Sequence, residues 1–235
     1  MALEQVLLLP VIGNKFFYLT LSTSKKLVLN LIKSKDSFYS FSSKSFKLKK
    51  ENTSVLSKKN WDKINLIDTN NDFLLLPSKL PNFLKNIDID KTIGINSKSI
   101  KKVEKVNNIG LSFFYSENSL TKKANNINHI GKIILNELLK NKLNSKELYV
   151  LTIHNKIFIC LVENNKLLFY NQFEFKGLNY IKYIILLFDE YKLDRNKTSI
   201  NLLNESLNEE ELKKFFSNIY LYKKSIFEII DEYYG

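Results

Sequence analysis

Two histidines, one cysteine and scattered carboxylates are the side chains of this 235-residue chain suited to proton transfer or nucleophilic attack near neutral pH. His154 falls in an expected two-residue turn, Ile153-His154-Asn155-Lys156, and His129 stands beside Asn128 near the start of an amphipathic segment. No serine or cysteine is spaced to be activated by either, so both read as structural or exposed. Cys160 lies in the apolar run Ile157 to Val162. That is the setting of a small buried hydrophobe, since a reactive thiolate needs an electropositive, partly exposed environment. A single cysteine also excludes a disulfide framework and a cysteine-based zinc site. The acidic pairs Asp88 with Asp90 and Asp189 with Glu190 fall in a loop and at a helix end, where solvated surface is the reading. The six glycines, Gly13, Gly94, Gly110, Gly131, Gly177 and Gly235, are too far apart to form a phosphate-cradling loop. The residues therefore point to no catalytic, cofactor-binding or metal-ligating set and to no cofactor.

The elements that would position such residues are clearest in the second half. Leu148 to Ile153, Lys156 to Val162 and Leu167 to Phe175 are three apolar, β-prone runs separated by His154-Asn155 and by Glu163-Asn164-Asn165-Lys166, which predicts an antiparallel meander. Gly177 closes it, Asn179 is the candidate cap of a buried helix from Tyr180 to Lys192, and a strand (Ser199 to Leu203), a helix (Asn208 to Ser217), a strand (Ile219 to Tyr222) and a helix (Ser225 to Tyr233) follow. The first half echoes this order. Expected strands cover Phe16 to Leu21, Leu27 to Lys33 and Ser37 to Leu48, followed by a weak helix from Ser54 to Ile67 carrying Trp61 and a strand from Phe73 to Leu76 ended by Pro77. A short helix from Leu80 to Asn86, a flexible loop at about 87–108, a strand from Ile109 to Tyr115 and a helix from Ile127 to Asn141 complete it. The expected fold is α/β: two duplicated ribonuclease H-like, or actin-like, halves, each a three-stranded antiparallel meander followed by alternating helices and strands. The expected division is a basic, imperfect copy over 1–125 and a second half over 126–235.

An active ATPase of that shape holds phosphates with one hairpin turn per half, rich in Asp and Gly so that backbone amides converge on the anion. The turns expected here, Leu21 to Lys26 and Ile153 to Lys156, contain neither residue, although Lys25, Lys26 and Lys156 are placed to meet a phosphate. A ribonuclease H-type nuclease needs carboxylates on its first strand to hold paired magnesium ions. Phe16 to Leu21 and Leu148 to Ile153 have none, and Glu147 precedes its strand.

The net charge of +12 invites a polyanion as partner. Residues 1–125 carry +11 of it and 126–235 only +1, so the first half would provide the face. The candidate polyanion-binding residues are Lys25, Lys26, Lys44, Lys47, Lys49, Lys50, Lys58 and Lys59, interleaved with Phe41, Phe46 and Trp61. Against specific readout, Arg195 is the one arginine among 36 basic residues, and the richness in Lys, Asn, Ile, Phe and Tyr has the character of an AT-rich genome. No run approaches the roughly 18 apolar residues of a membrane span, and Val6 to Ile12, preceded by Glu4, does not read as a signal peptide. A cytoplasmic location is the expectation.

The segments ELYVLTIHNKIFICLVENNK (147–166), LLFYNQFEF (167–175) and GLNYIKYIILLFDEYKLD (177–194) resemble the uncharacterised Bacteroidota family known as domain of unknown function 3822. Asn171, Phe173, Tyr180, Tyr183, Leu193 and Asp194 fit its pattern, as do DFLLLPSKL (72–80) and the His129-containing helix INHIGKIILNELL (127–139). The resemblance implies a degenerate actin-like fold similar to cytoplasmic scaffold proteins of pilus and secretion systems. Asn204-Glu205 replaces the family's late-strand glycine. The function expected is a non-catalytic, pseudo-ATPase-like scaffold that holds a protein partner, with sequence-independent RNA or DNA binding through the basic half as the alternative.

Overall fold

A computed structural model describes residues 20–21, 27–34, 37–41, 48–52, 61–69, 72–79, 88–92, 99–106, 109–118, 124–140, 145–153, 156–164, 166–174, 176–203 and 207–235. The second-half meander forms as expected: β10 (Lys146–Ile153), β11 (Lys156–Glu163) and β12 (Lys166–Glu174) pair antiparallel in sequence. Asn164 turns the chain between β11 and β12 at φ +48°, a left-handed conformation that asparagine tolerates. The strands β13 (Ser199–Leu202) and β14 (Ile219–Leu221) then add in parallel, giving the order β12-β11-β10-β13-β14. Helix α3 (Tyr180–Glu190) connects β12 to β13 and buries Tyr180, Ile181, Ile184, Leu187 and Phe188 on the outer face of this sheet. Asn179 does not cap α3 with its side chain; its Oδ1 accepts instead from the Lys176 amide. Helix α4 (Glu209–Lys213) is capped by Asn208, whose side chain accepts from the Glu211 amide. Helix α5 (Ile226–Tyr234) begins with a reciprocal Ser225/Glu228 capping box.

The first half repeats the same order and directions, one strand later than its sequence suggests. Its meander is β2 (Leu27–Ser34), β3 (Ser37–Phe41) and β4 (Leu48–Glu51), while β1 (Thr20–Leu21) pairs with the start of β2. The expected strand from Ser37 to Leu48 is thus two strands. Part of the expected weak helix is β5 (Lys63–Asp68), parallel to β2 and buried on both faces. A strand covered on both sides shows no polar alternation, so its period is unreadable. The next parallel strand, β9 (Asn126–His129), takes the first residues of the expected helix, and α2 (Ile130–Leu138) follows. The resulting order, β4-β3-β2-β5-β9, matches that of the second half position for position. By this order β9 and α2 go with the first sheet, and β10 opens the second.

Between β5 and β9 lies an added sheet, β6-β8-β7, made of β6 (Phe73–Pro77), β7 (Ser99–Val106) and β8 (Leu111–Asn118), with the short α1 (Ile89–Thr92) between β6 and β7. The flexible loop expected at 87–108 is therefore partly regular: β7 pairs with β8 along its whole length. The expected helix from Leu80 to Asn86 lies outside the described residues. One apolar cluster joins Ile32 and Ile67 of the first sheet, Phe113 and Tyr115 of the added sheet, Leu151, Phe158 and Cys160 of the second sheet, and the helices α2 and α5. All nine residues of α2 are buried.

Candidate functional site: the seam between the halves

Open parallel sheets bind ligands at the carboxyl ends of their strands. In the first sheet Lys33, Asp68 and His129 stand at that end of β2, β5 and β9, register neighbours in a row. All three are buried. Lys33 Nζ is 3.1 Å from Asp68 Oδ2, so each charge meets its opposite in a low-dielectric setting. The Thr69 amide and hydroxyl both donate to the Lys33 carbonyl, at 3.1 and 3.0 Å. His129 is the N-cap of α2, its Nδ1 accepting from the Gly131 amide at 3.0 Å. The rings of Phe113, Phe73, Tyr115 and Phe158 surround the imidazole at centroid distances of 5.3, 5.5, 5.6 and 6.3 Å.

The second half closes this end. Tyr170 on β12 donates its hydroxyl to the Gly131 carbonyl at 2.6 Å, and Phe73 stacks between Tyr170 at 5.1 Å and Phe113 at 4.7 Å. A Cβ on Gly131 would lie 3.0 Å from His129 Nδ1 and 3.1 Å from Tyr170 Oη, so only glycine lets helix, ring and phenol meet. Asp72 accepts from Gln172 Nε2 at 2.8 Å and pairs with Lys156 at 3.5 Å, while Lys156 also meets Glu174 at 3.7 Å. Lys156, the candidate phosphate contact in the second-half turn, is thus buried among carboxylates. Burial pushes the Tyr115, Tyr170 and Tyr234 phenols and the Cys160 thiol far above their ordinary ranges, which suits packing and not proton transfer near neutrality.

A second polar chain runs across the inner face of the first sheet. Asn65 Nδ2 donates to Asn30 Oδ1 at 2.7 Å, Asn126 Nδ2 donates to Asn65 Oδ1 at 2.8 Å, and Asn30 Nδ2 donates to Asp231 of α5 at 3.0 Å. Asn128 continues the contact with α5 by donating to the Tyr234 hydroxyl at 2.9 Å, and Lys63 donates to the Tyr234 carbonyl at 3.3 Å. Beside it, Glu137 of α2 meets Lys140 at 2.8 Å and Lys224 at 2.9 Å. The last helix of the second half is therefore bolted to the first sheet. The sequence reading passed over this ladder, although its signal is a tetrapeptide repeated at three strand ends: Asn30-Leu31-Ile32-Lys33, Asn65-Leu66-Ile67-Asp68 and Asn126-Ile127-Asn128-His129.

The candidate polyanion residues do not come together among the described residues. Lys49 and Lys50 are neighbours on β4, so they face opposite sides of the sheet; Lys49 lies 3.9 Å from Glu51 and Lys50 is exposed. Lys25, Lys26, Lys44, Lys47, Lys58 and Lys59 lie outside the described residues, as do Phe46 and His154. Phe41 packs on Phe227 at 5.0 Å and Trp61 against Leu29, Leu31, Ile64 and Leu66, so both serve the core. The first-half counterpart of the Ile153–Lys156 turn is the β2–β3 turn, Ser34-Lys35-Asp36-Ser37, and not Leu21–Lys26. The expectation that neither turn has an Asp is corrected by Asp36; both still lack glycine. Among the described residues no group of three or more His, Cys, Asp or Glu is placed to hold a metal ion.

Residues 7–226 match the family described as protein of unknown function, DUF3822. The chain belongs to this family. A Bacteroides thetaiotaomicron crystal structure described as having an actin-like ATPase fold and unknown function is similar at TM-score 0.69 and 16% identity, covering 89% of this chain and 97% of that one. The fold of the DUF3822 chain is thus actin-like. Weaker likenesses are to the cytoplasmic domain of EpsL, an inner membrane component of the Vibrio cholerae type II secretion system (TM-score 0.43, 10% identity, 87% and 93% covered), and to the PilM–PilN type IV pilus biogenesis complex (0.47, 9%, 86% and 89%). No curated protein sequence matches the chain. No helix among the described residues is long and apolar enough to cross a membrane.

Proposed function

We propose that this DUF3822 protein is a non-catalytic, actin-like interaction module that works in the cytoplasm as a scaffold for a protein partner. The observation that carries this reading is the filled seam. Where an actin-like ATPase opens a phosphate site at the strand ends, Phe73, Tyr170 and Phe113 stack, and Lys33, Asp68 and Lys156 are held by one another or by neighbouring carboxylates. Opening that space would break an aromatic stack, the buried Lys33–Asp68 pair and the half-exposed Lys156–Asp72 pair at once. The first-half turn has an aspartate, but without glycine the backbone amides have no close approach to a phosphate.

The test is calorimetric titration of the whole chain with ATP and magnesium. Exposed lysine contacts are each worth under about 1 kcal/mol, far short of the roughly 5.5 kcal/mol behind a dissociation constant of about 100 μM. No binding tighter than that is expected; tighter binding would return the seam to candidacy as an active site. Polyanion binding by the first half is the weaker reading, since the two described candidate lysines face opposite ways.

A further inference from the structure

The two repeats part company between their fourth and fifth strands. The second half joins β13 to β14 through α4, whereas the first half spends residues 69–125 on the added β6-β8-β7 sheet. One face of that sheet enters the shared core through Phe73, Leu75, Phe113, Tyr115 and Val106, and on the other Leu76 and Phe114 pack with Ile89. Its strand β7, eight residues long, is an edge among the described residues. On the core side of β7, Lys102 pairs with Glu117 at 3.1 Å and Glu104 pairs with Lys132. On the opposite side Lys101, Val103 and Lys105 form an exposed row, Val103 at 50%.

Building on the interaction-module reading, we propose that β7 is the docking edge for an extended acidic segment of a partner protein. The segment adds as a fourth strand and sets an acidic, an apolar and an acidic side chain, at positions i, i+2 and i+4, against Lys101, Val103 and Lys105. Alternate residues of a strand share a face, and cross-strand neighbours lie about 5 Å apart, within reach of carboxylate and ammonium. Backbone pairing supplies affinity and the alternating side chains supply choice of partner. A second copy of this chain is a poor occupant, because antiparallel pairing centred on Val103 would set Lys101 against Lys105 twice, like charge opposite like. Edge lysines also discourage indiscriminate strand pairing, but a purely protective edge has no use for an exposed valine between them.

The test uses a fluorescein-labelled peptide, Gly-Ser-Glu-Thr-Val-Thr-Glu-Ser-Gly, titrated with the whole chain by anisotropy at low salt. Saturable binding with a dissociation constant of about 100 μM is expected, together with slowed amide exchange over residues 99–106. The variant K101E/K105E should bind at least about tenfold more weakly and should instead accept the peptide with lysine in place of both glutamates. Val103→Glu, a single exposed change, gives the same loss should the double variant not fold. Equal binding by parent and variants, equal binding of a scrambled peptide, or no saturation by about 1 mM overturns the proposal. So does a single-stranded oligonucleotide that depends on these lysines when the peptide does not. If parent and K101E/K105E chains capture the same native protein equally, this edge is wrong and the scaffold reading stands. If the chain captures no partner and remains a monomer, the scaffold reading fails, and the peptide titration still decides the edge.

Discussion

Replacing Asn65 by leucine tests whether the asparagine ladder holds the halves together. Asn65 is fully buried and spends its amide twice, donating to Asn30 and accepting from Asn126. Leucine has the same branching and number of heavy side-chain atoms, with bulkier methyl ends, and removes both bonds, leaving Asn30 Oδ1 and Asn126 Nδ2 without these partners. Each loss costs about 1–2 kcal/mol, at the low end because Asn30 and Asn126 are only half-buried. The leucine side chain recovers about 1 kcal/mol by leaving water. The net loss is then about 1 kcal/mol, which for a chain of this size lowers Tm by about 2–4 °C. Circular dichroism at 222 nm during heating, paired with urea midpoints, measures it. The triple variant Asn30→Leu, Asn65→Leu, Asn126→Leu removes the ladder whole and loses in addition only the Asn30 bond to Asp231, so it should be at most about 1 kcal/mol less stable than the single one. An unchanged Tm for the single variant, or a loss in the triple variant near three times the single loss, would refute the ladder as one connected network.

Gly131→Ala places a methyl 3.0 Å from His129 and 3.1 Å from Tyr170. It should destabilise by about 1–3 kcal/mol in urea despite the better helix propensity of alanine, because the buried neighbours must shift. For Glu137, burial pushes the carboxyl up, but the hydrogen bonds and charges of Lys140 and Lys224 more than offset this and hold it below its ordinary value. A depressed carboxyl stabilises above its unfolded pKa and loses that contribution as pH falls through the lower folded value, so Glu137→Gln should flatten the acid limb of urea midpoints measured from pH 6 down to 2. The buried Cys160 thiol should ignore a thiol-reactive disulfide reagent in the native chain and react once urea unfolds it.

What the sequence determined by itself was whatever depends on neighbours along the chain. The second-half meander was legible because its turns, His154-Asn155 and Asn164-Asn165, punctuate apolar runs, and the α4 cap was legible because Asn208 precedes three glutamates. The burial of Cys160 followed from its apolar run, and the family likeness from motifs in the same stretch. The first half resisted. Lys63–Asp68 is covered on both faces and lost its strand period, and Asn126–His129 joined the helical pattern of the residues after it. Tertiary structure decided which hairpin is equivalent to Ile153–Lys156, because that depends on β2 lying beside β5 and not on turn composition. It also decided the seam. Asn30, Asn65 and Asn126 meet because three parallel strands run in register, and Phe73 meets Tyr170 because an insertion in one half reaches the edge strand of the other. Hydrogen bonds and stacking act over a few ångströms, and residues this far apart in sequence come that close only when the chain has folded.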